Sequence, residues 1–384
     1  MKRAKAHPGA SQASSRLPFI DFARGIVMVL MAWDHVSGFW NPGHRGGEGL
    51  MGRRPIFPDL IQFLLRFVTH YCAPTFIFLA GTVLAISTAK RLSRGESQRS
   101  LSIRMVKRGT VLLLLEAFVV APAFDLPPIY FGVIACIGAC FIIFSVYRRL
   151  PTAVILALSL LIILAHPFLN LNWIPNDVAG GWYLRVILHE PSFDQPPFMG
   201  LYPVVPWIGV MGLGWCFGIF LSGYDRTRVR GLTMPLAATG AVSLALWFVV
   251  RLLNGYGNLL SRRGGTIEDW LYVSKYPPSL AFLLWTLGGM CLFLALGLLL
   301  QDRPGFTRGL TGAILTFGRV PLFFYCAHLW LYRLRPGWTT RPLFDMDLTT
   351  TVAFWLVGLL VLWHLCIRYE KLKRSHPGSL LQYI

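Results

Sequence analysis

The chain begins, after a short polar segment, with LPFIDFARGIVMVLMAWDHVSGFW, residues Leu17 to Trp40. This run can cross a lipid bilayer as a helix, because about 20 mainly apolar residues span the hydrocarbon core. It nevertheless contains Asp34 and His35 side by side. An ionisable residue near the bilayer centre costs roughly 2.5–3.5 kcal/mol on insertion scales, and such residues mark functional sites. The stretch therefore predicts a membrane helix that also takes part in chemistry.

The composition extends this interpretation to the whole chain. Of the 384 residues, 55% are hydrophobic and only 14% are charged, against about 25% charged in an average soluble domain. The apolar runs are continuous rather than alternating, which favours helices over the strands of a barrel. We expect an all-α, polytopic integral membrane helix bundle, in which residues 17–370 form one transmembrane domain between cytoplasmic tails at 1–16 and 371–384.

The distribution of charge predicts the topology. If both termini are cytoplasmic, the loops hold about two basic residues inside for each one outside, as the positive-inside rule requires. The net charge of +19 then indicates membrane orientation, and we expect no nucleic-acid partner. The long loops 169–202 and 253–278 become extracytoplasmic. We predict about ten spanning helices, at 18–40, 60–88, 109–125, 129–147, 151–168, 203–222, 232–252, 279–300, 310–332 and 349–367.

Three histidines lie toward the outer ends of three different predicted helices. These are His35, His70 and His328. Their similar depth predicts a shared site, and imidazole, which titrates near neutrality, is the usual general base. The alternative for each is a neutral histidine that only bonds a backbone carbonyl. Asp34 projects about 100° away from its neighbour His35 on a helix, so we expect it to pair with another helix.

Two arginines within the apolar runs share helix faces with these histidines. Arg24 can pair with Asp21, three residues away, and lies on the same stripe as His35. The two ends of this stripe are about 16 Å apart at roughly 1.5 Å per residue, so an anion-binding group and a base could line one channel. Arg66 shares a face with His70, and its alternative role is to snorkel to the outer surface.

Two prolines predict bends beside polar residues. Pro74 should kink the second predicted helix, and Pro321 should bend the ninth. The ninth helix also carries Arg319 within the membrane, with Tyr325 and His328 as polar groups further along. A bend there would change how Arg319 and His328 face each other, because nine residues place them on opposite sides of a straight helix.

Two further groups allow both a functional and a structural interpretation. Arg104, Lys107 and Arg108 lead into the third predicted helix from inside; they could bind the phosphates of an anionic cofactor, or they could be topology signals alone. Trp182 and Tyr183 lie in an outer loop with amides and carboxylates. Such aromatics suit a sugar ligand, or they form an interfacial aromatic belt.

Several of these segments together resemble a known family. Leu17–Ile26 followed by Asp34-His35, and then Ala73–Gly81, look like the opening of bacterial multi-pass membrane proteins related to heparan-α-glucosaminide N-acetyltransferase. The segments YPVVPWIG at 202–209, YPPS at 276–279 and FGRVPLFFY at 317–325 are similar to the same family. The resemblance covers nearly the whole chain from residue 17.

The resemblance implies a transmembrane acyltransferase of about ten or eleven helices in the bacterial inner membrane. It implies that an acyl-coenzyme A, acetyl-CoA first of all, is used from the cytoplasm and that the acceptor sugar lies on the opposite side. A histidine near the non-cytoplasmic face is held to be central in this family, and His35, His44 and His70 are all candidates for it.

We therefore expect acyl transfer from cytoplasmic acyl-CoA to a sugar amine or hydroxyl outside. The alternative is a transporter or lipid-handling protein that uses the same groups as a proton relay. The expected partners are the lipid bilayer, a sugar or glycan acceptor and a candidate second copy of the chain; with no CxxC pair or His–Cys cluster among seven cysteines, no metal is expected. The candidate residues are His35, Asp34, His70 and His328 for catalysis; Arg24, Arg104, Lys107, Arg108 and Arg319 for the cofactor; and Arg66, Tyr325, Trp182 and Tyr183 for the substrate.

Overall fold

The computed structural model describes residues 17–50, 54–126, 129–175, 180–192, 198–334, 345–376, 379 and 381. The predicted tail at 1–16 lies outside the described residues, as do parts of the loop 169–202 and of the C-terminal tail. The α-helices are α1 Pro18–Trp40, α2 Leu60–Phe67, α3 Cys72–Leu92, α4 Gln98–Leu115, α5 Ala121–Ala123, α6 Val133–Tyr147, α7 Thr152–Ala165, α8 Gly181–Leu188, α9 Val204–Gly223, α10 Thr233–Leu253, α11 Ile267–Leu271, α12 Leu280–Leu300, α13 Gly309–Arg319, α14 Pro321–Arg333 and α15 Leu348–Ser375.

Short irregular elements complete the fold. Three 3-10 segments, Val68–Tyr71, His166–Phe168 and Arg226–Leu232, adjoin longer helices, and a π-helical segment, Glu116–Val120, follows α4. The strands β1 Ile129–Phe131 and β2 Phe198–Gly200 form a parallel pair in which Ile129 aligns with Phe198.

Five described helical segments are long and apolar enough to cross a membrane. A sixth span results if the bent pair α13–α14 is counted as one, and α6 and the segment Thr152–Phe168 are shorter apolar helices. This confirms an all-α membrane protein; the number of ten spans and the cytoplasmic termini stay predictions. The five segments are Leu60–Leu92, Val204–Gly223, Thr227–Leu253, Leu280–Leu300 and Leu348–Ser375.

Helix α1 lies at the centre of the bundle. It packs against α3, α12, α13, α14 and α15, while α3 and α7 pack against α9 and α4 packs against α6. Gly25 permits the approach of α13, because a Cβ at this position would lie 1.9 Å from the backbone oxygen of Ile314. Small residues allow membrane helices to approach closely in this way. Following the predicted orientation, we call the end of the bundle at Pro18 the inner end and the end at Trp40 the outer end.

The two predicted proline bends have different outcomes. The α13–α14 pair bends by 99° at Val320, immediately before Pro321, which confirms the bend in the ninth helix. Near Pro74 the irregularity lies one turn earlier, as the 3-10 segment Val68–Tyr71. The physical reason is that a proline ring displaces the carbonyl four residues before it, here that of His70, and removes one hydrogen bond of the helix.

Two helices extend further than the sequence indicated. Helix α4 begins at Gln98 rather than near 109, so Arg104, Lys107 and Arg108 lie within a helix and not in a leading loop. Its first turn is capped, since the Ser97 side chain accepts from the backbone N–H of Ser100. Helix α15 continues to Ser375, beyond the predicted end at 367. Hydropathy marks only the part of a helix in contact with lipid, and charged turns outside it are easily missed.

Candidate active site

A cavity of about 540 Å³ lies at the outer end of the bundle; we call it the outer cavity. Side chains of α1, of the segment before α3, of α14 and of two outer loops line it together. The polar residues in its wall include Asp34, His35, His44, Arg66, Lys275 and Tyr325. Four of the candidates from sequence, Asp34 and His35 on α1, Arg66 on α2 and Tyr325 on α14, thus meet at one site.

His35 and His328 form a hydrogen-bonded pair, which we call the histidine pair. Nδ1 of His35 lies 2.7 Å from Nε2 of His328, and the rings stack with centroids 5.0 Å apart. Nδ1 of His328 lies 2.9 Å from the carbonyl oxygen of Phe324, which only accepts. His328 therefore donates from Nδ1 and accepts at Nε2, and His35 donates from Nδ1. This assignment leaves Nε2 of a neutral His35 as a proton acceptor.

Asp34, Arg66 and Glu48 form a second group, the ion cluster. Arg66 donates two parallel hydrogen bonds to Glu48, from Nε at 2.6 Å and from Nη2 at 2.8 Å, and a third from Nη1 to Asp34. The Thr69 hydroxyl donates to Asp34 over 2.9 Å. The expectation that Asp34 pairs with another helix is therefore confirmed. Arg66 is buried and does not snorkel to the surface.

His70 lies against the ion cluster and not against the histidine pair. Nε2 of His70 lies 3.5 Å from a carboxylate oxygen of Glu48, and its ring packs against Phe67 and Phe282. His70 is not part of the wall of the outer cavity. The predicted convergence of three histidines thus holds for His35 and His328 and not for His70.

His44 lies in the outer cavity, in the loop after α1. Its Nε2 is 3.8 Å from the Asp34 carboxylate. Burial and the nearby Arg66 lower the pKa of His44 to about 4, although Asp34 acts in the opposite direction. At neutral pH the His44 ring is therefore uncharged.

The loop before α12 supplies a buried lysine. The backbone N–H of Lys275 donates to the carbonyl of Glu48 over 2.8 Å, which fixes this loop to the one that holds Glu48. Burial disfavours charge on both side chains, but Tyr276 and Asp34 raise the pKa of Lys275, and Arg66 holds the pKa of Glu48 well below its ordinary range. Lys275 is thus a charged ammonium in the wall of the outer cavity.

A smaller cavity of about 140 Å³, the inner cavity, adjoins the outer cavity on the side toward the inner end. The two cavities share Phe76, Val133 and Tyr325 as wall residues. Arg24 and Arg108 line the inner cavity. The predicted arrangement of an anion-binding group and a base along α1 is therefore accompanied by an adjoining pair of cavities.

The other predicted cofactor residues do not line either of these cavities. Arg104 lies 3.6 Å from Glu96, and Lys107 is on the exposed face of α4. Arg319 lies 3.9 Å from Glu370. Arg24 also donates to Asp21, as its spacing predicted.

Trp182 and Tyr183 lie outside the walls of the outer and inner cavities as well. Both lie on the short helix α8 and contact the Phe198 ring edge-on. Their position suits the interfacial role that the sequence left open.

The comparison with family models identifies the protein's relatives. The model described as "Heparan-alpha-glucosaminide N-acetyltransferase, catalytic" matches residues 16–252. The chain belongs to this family. Membership implies transferase activity of the acetyltransferase type in an integral, multi-pass membrane protein. No curated protein matches the chain.

The family match covers part of the candidate site. Asp34, His35 and Arg66 lie within the matched residues, whereas Lys275 and His328 lie beyond them. The heparan-α-glucosaminide N-acetyltransferase family match therefore contains the candidate base, and the chain adds the base's hydrogen-bond partner from a later segment.

Sequence reasoning missed three buried charged residues near the site. Glu48 and Lys275 lie in outer loops, where charge is common and gives no signal. Glu116 could have been found, because it is a lone carboxylate in an apolar run. Its side chain accepts from the backbone N–H of Ala135 over 2.7 Å and so caps α6 from a π-helical segment.

Proposed function

We propose that the protein transfers an acetyl or other acyl group from acyl-CoA, taken up at the inner end, to a sugar amine or hydroxyl at the outer end. The observation that carries this proposal is the histidine pair, whose His35 lines the outer cavity, next to an inner cavity lined by two arginines. Membership of an acetyltransferase family supports the type of reaction.

His35 is the proposed general base. Its Nδ1–H is held by His328, and His328 is held in turn by the carbonyl of Phe324. These two hydrogen bonds in series fix the orientation of the His35 ring and direct the lone pair of His35 Nε2 away from His328. A base oriented in this way typically contributes 10²–10⁴-fold to a rate.

The proposed reaction moves one proton and exchanges one bond. The acceptor's nitrogen or oxygen attacks the thioester carbonyl, and its proton goes to Nε2 of His35. The new C–N or C–O bond forms, the C–S bond breaks, and the departing thiolate of coenzyme A takes the proton from His35. The ammonium of Lys275 in the same wall favours the negative charge that develops on the carbonyl oxygen.

The donor is proposed to reach His35 through the adjoining cavities. Arg24 and Arg108 at the inner cavity would attract the phosphates, and Tyr325 borders both cavities along the course of the pantetheine arm. A direct path matters because reacting atoms must come within about 3–3.5 Å of each other.

Purified protein in liposomes tests the proposal with labelled acetyl-CoA and a mixture of amino sugars and glycans. Release of coenzyme A together with label on a sugar is the expected result. Movement of a solute across the liposome without thioester cleavage would contradict it and would support the transporter alternative. The proposal would also be contradicted if the wild-type protein and the His35→Ala variant both bound coenzyme A and neither cleaved the thioester of acetyl-CoA.

A further inference from the structure

A third cavity, of about 640 Å³, lies at the inner end between α3, α4, α7 and α9; we call it the arginine cavity. Arg99, Arg148 and Arg149 line it, and the residues in its wall include no carboxylate. We propose that the arginine cavity is a binding site for a phosphate ester. The bland alternative is that these arginines only orient the chain in the membrane.

Two of the arginines are held together although their charges repel. Arg148 is only 8% exposed, and it donates to the Gln98 carbonyl over 2.9 Å and to the Ser102 hydroxyl over 3.1 Å. Arg149 donates to the same Ser102 hydroxyl over 3.4 Å. Two guanidinium groups on one hydroxyl form a concentrated positive charge. Arg149 is exposed, but the charge of the buried Arg148 is costly without an anion.

The described part of the chain supplies no anion to these residues. Neither Arg148 nor Arg149 forms an ion pair with any described residue, and the buried Nε of Arg148 has no hydrogen-bond partner there. The carboxylate nearest in sequence to the start of α4, Glu96, lies 3.0 Å from Arg91 and accepts from Ser100. The Glu96 charge is therefore already matched elsewhere.

Two helix N-termini add to the positive potential of the arginine cavity. Gln98, the first residue of α4, and Thr152, the first residue of α7, both line it. Aligned backbone dipoles place partial positive charge and free N–H groups at such ends, which favours anions. Helix α7 has no side-chain cap, so its first N–H groups are not satisfied by a capping side chain. Guanidinium groups and helix N-termini together match the recognition of phosphate.

Orientation alone does not require this arrangement. Arg228 and Arg230 are also predicted to face the cytoplasm, but they are largely exposed and lie near Asp225 and Asp302. Arg148 differs from them in burial, in fixed geometry and in facing a cavity. The contrast separates a topology signal from a built site.

The phosphate ester has two sources that fit the position. Along α3 the arginine cavity touches Thr88 and Leu92, the inner cavity touches Leu84, and the outer cavity touches Ala73. This order suits a donor whose thioester end lies at His35, whose diphosphate lies at the inner cavity and whose phosphate at the nucleotide end lies in the arginine cavity, and that source rests on the proposed function. The headgroup of an acidic phospholipid offers the same chemistry at the same end of the bundle and does not depend on acyl transfer.

The test compares the double variant Arg148→Gln/Arg149→Gln with the wild-type chain in lipid nanodiscs. The matched control is Arg228→Gln/Arg230→Gln, which removes the same charge from the same predicted side. One arm measures the Kd of adenosine 3′,5′-bisphosphate and of coenzyme A by calorimetry. The other arm measures retention of phosphatidylglycerol from mixed phosphatidylcholine–phosphatidylglycerol nanodiscs by native mass spectrometry.

In the double variant we expect the nucleotide Kd to rise about tenfold, or the retention of phosphatidylglycerol to fall about tenfold, and we expect neither to change in the control. A weaker nucleotide Kd identifies the donor as the source, and a loss of phosphatidylglycerol identifies the lipid. If neither the nucleotide Kd nor the lipid retention changes in the double variant, the proposal is overturned. If the double variant does not fold, Arg149→Gln alone replaces it, because that side chain is exposed and, among the described residues, forms a hydrogen bond with Ser102 alone.

Both arms measure binding and not turnover. A wild-type chain that binds a phosphate ester without cleaving a thioester would therefore contradict the proposed function and leave this site intact. If the wild-type chain cleaves thioesters and the double variant still binds the nucleotide and the lipid normally, the proposed function stands and this site is contradicted.

Discussion

The outer cavity and the arginine cavity treat buried charge in opposite ways. In the outer cavity the charge of Arg66 is matched by Asp34 and Glu48. In the arginine cavity the buried Arg148 shares a hydroxyl with the exposed Arg149, and neither has a carboxylate partner among the described residues. Charges that satisfy each other fix geometry, whereas charges without a partner attract a ligand. The comparison suggests that chemistry takes place at the outer end and binding of an anion at the inner end.

The largest effect is expected at the histidine pair. His35→Ala removes the proposed base and should lower kcat by roughly 10²–10⁴-fold, measured as coenzyme A release in proteoliposomes. Membrane insertion and coenzyme A affinity should be retained, because His35 does not line the inner cavity. His364→Ala, on the exposed face of α15, is the control. Turnover of His35→Ala near the wild-type level would remove His35 from the mechanism. It would also contradict the assignment of chemistry to the outer end and anion binding to the inner end.

The ion cluster should give the next largest effect, on stability. Arg66→Met leaves the buried Glu48 and the half-buried Asp34 without their cation, and breaking a buried pair in this way costs about 3–5 kcal/mol. Denaturation in detergent, followed by tryptophan fluorescence, measures the change. Arg374→Met, which breaks an exposed pair with Glu370, should leave the midpoint unchanged. Equal midpoints for both variants would show that the cluster does not hold the outer cavity together.

His44 should make stability depend on pH. Its pKa is about 4 in the folded protein and about 6.5 when unfolded, so the unfolded chain binds more protons between these values. Stability should therefore fall as the pH is lowered from 7 to 4, by up to about 3 kcal/mol from this group. His44→Asn should show a smaller fall than wild type when midpoints are measured across this range. Parallel pH profiles for the two proteins would place His44 in contact with solvent, outside the cavity.

The smallest effect separates two neighbours on α4. Arg108 lines the inner cavity and stacks on the Phe141 ring at 5.2 Å, whereas Lys107 is exposed. Arg108→Gln should weaken coenzyme A binding roughly tenfold, as expected for loss of a charged contact, and Lys107→Gln should not. Titration calorimetry measures both. An equal loss of coenzyme A affinity in the two variants would indicate that the overall positive charge of the inner end attracts coenzyme A and that the inner cavity is not its binding path.

The apolar pattern was sufficient to predict much of the fold. The runs at 203–222, 232–252 and 279–300 correspond closely to α9, α10 and α12. Each is bounded by proline, glycine or charge, and these residues end helices for local reasons. The start of α4 was missed because its first turns are polar, so hydropathy gave no signal there.

The sequence was sufficient to predict the depth of the site residues in the membrane, but not which of these residues contact each other. Depth along a helix follows from residue counting, and it placed His35 and His328 at the same level. Which residues touch at that level depends on which helices are adjacent, so His70 was expected at the histidine pair and instead adjoins Glu48. Glu48 itself lies in a loop, where no periodicity reports burial.

A photoreactive analogue tests the account most directly, by asking whether the donor's thioester end reaches the histidine pair. The probe is coenzyme A that carries a benzophenone on its sulfur, cross-linked to the protein in nanodiscs and located by peptide mass spectrometry. The account predicts labelling of outer-cavity residues such as Met31, Phe124 and Tyr325, abolished by excess acetyl-CoA. Labelling that acetyl-CoA does not compete away, or that falls only on lipid-facing residues such as Leu360, would contradict it.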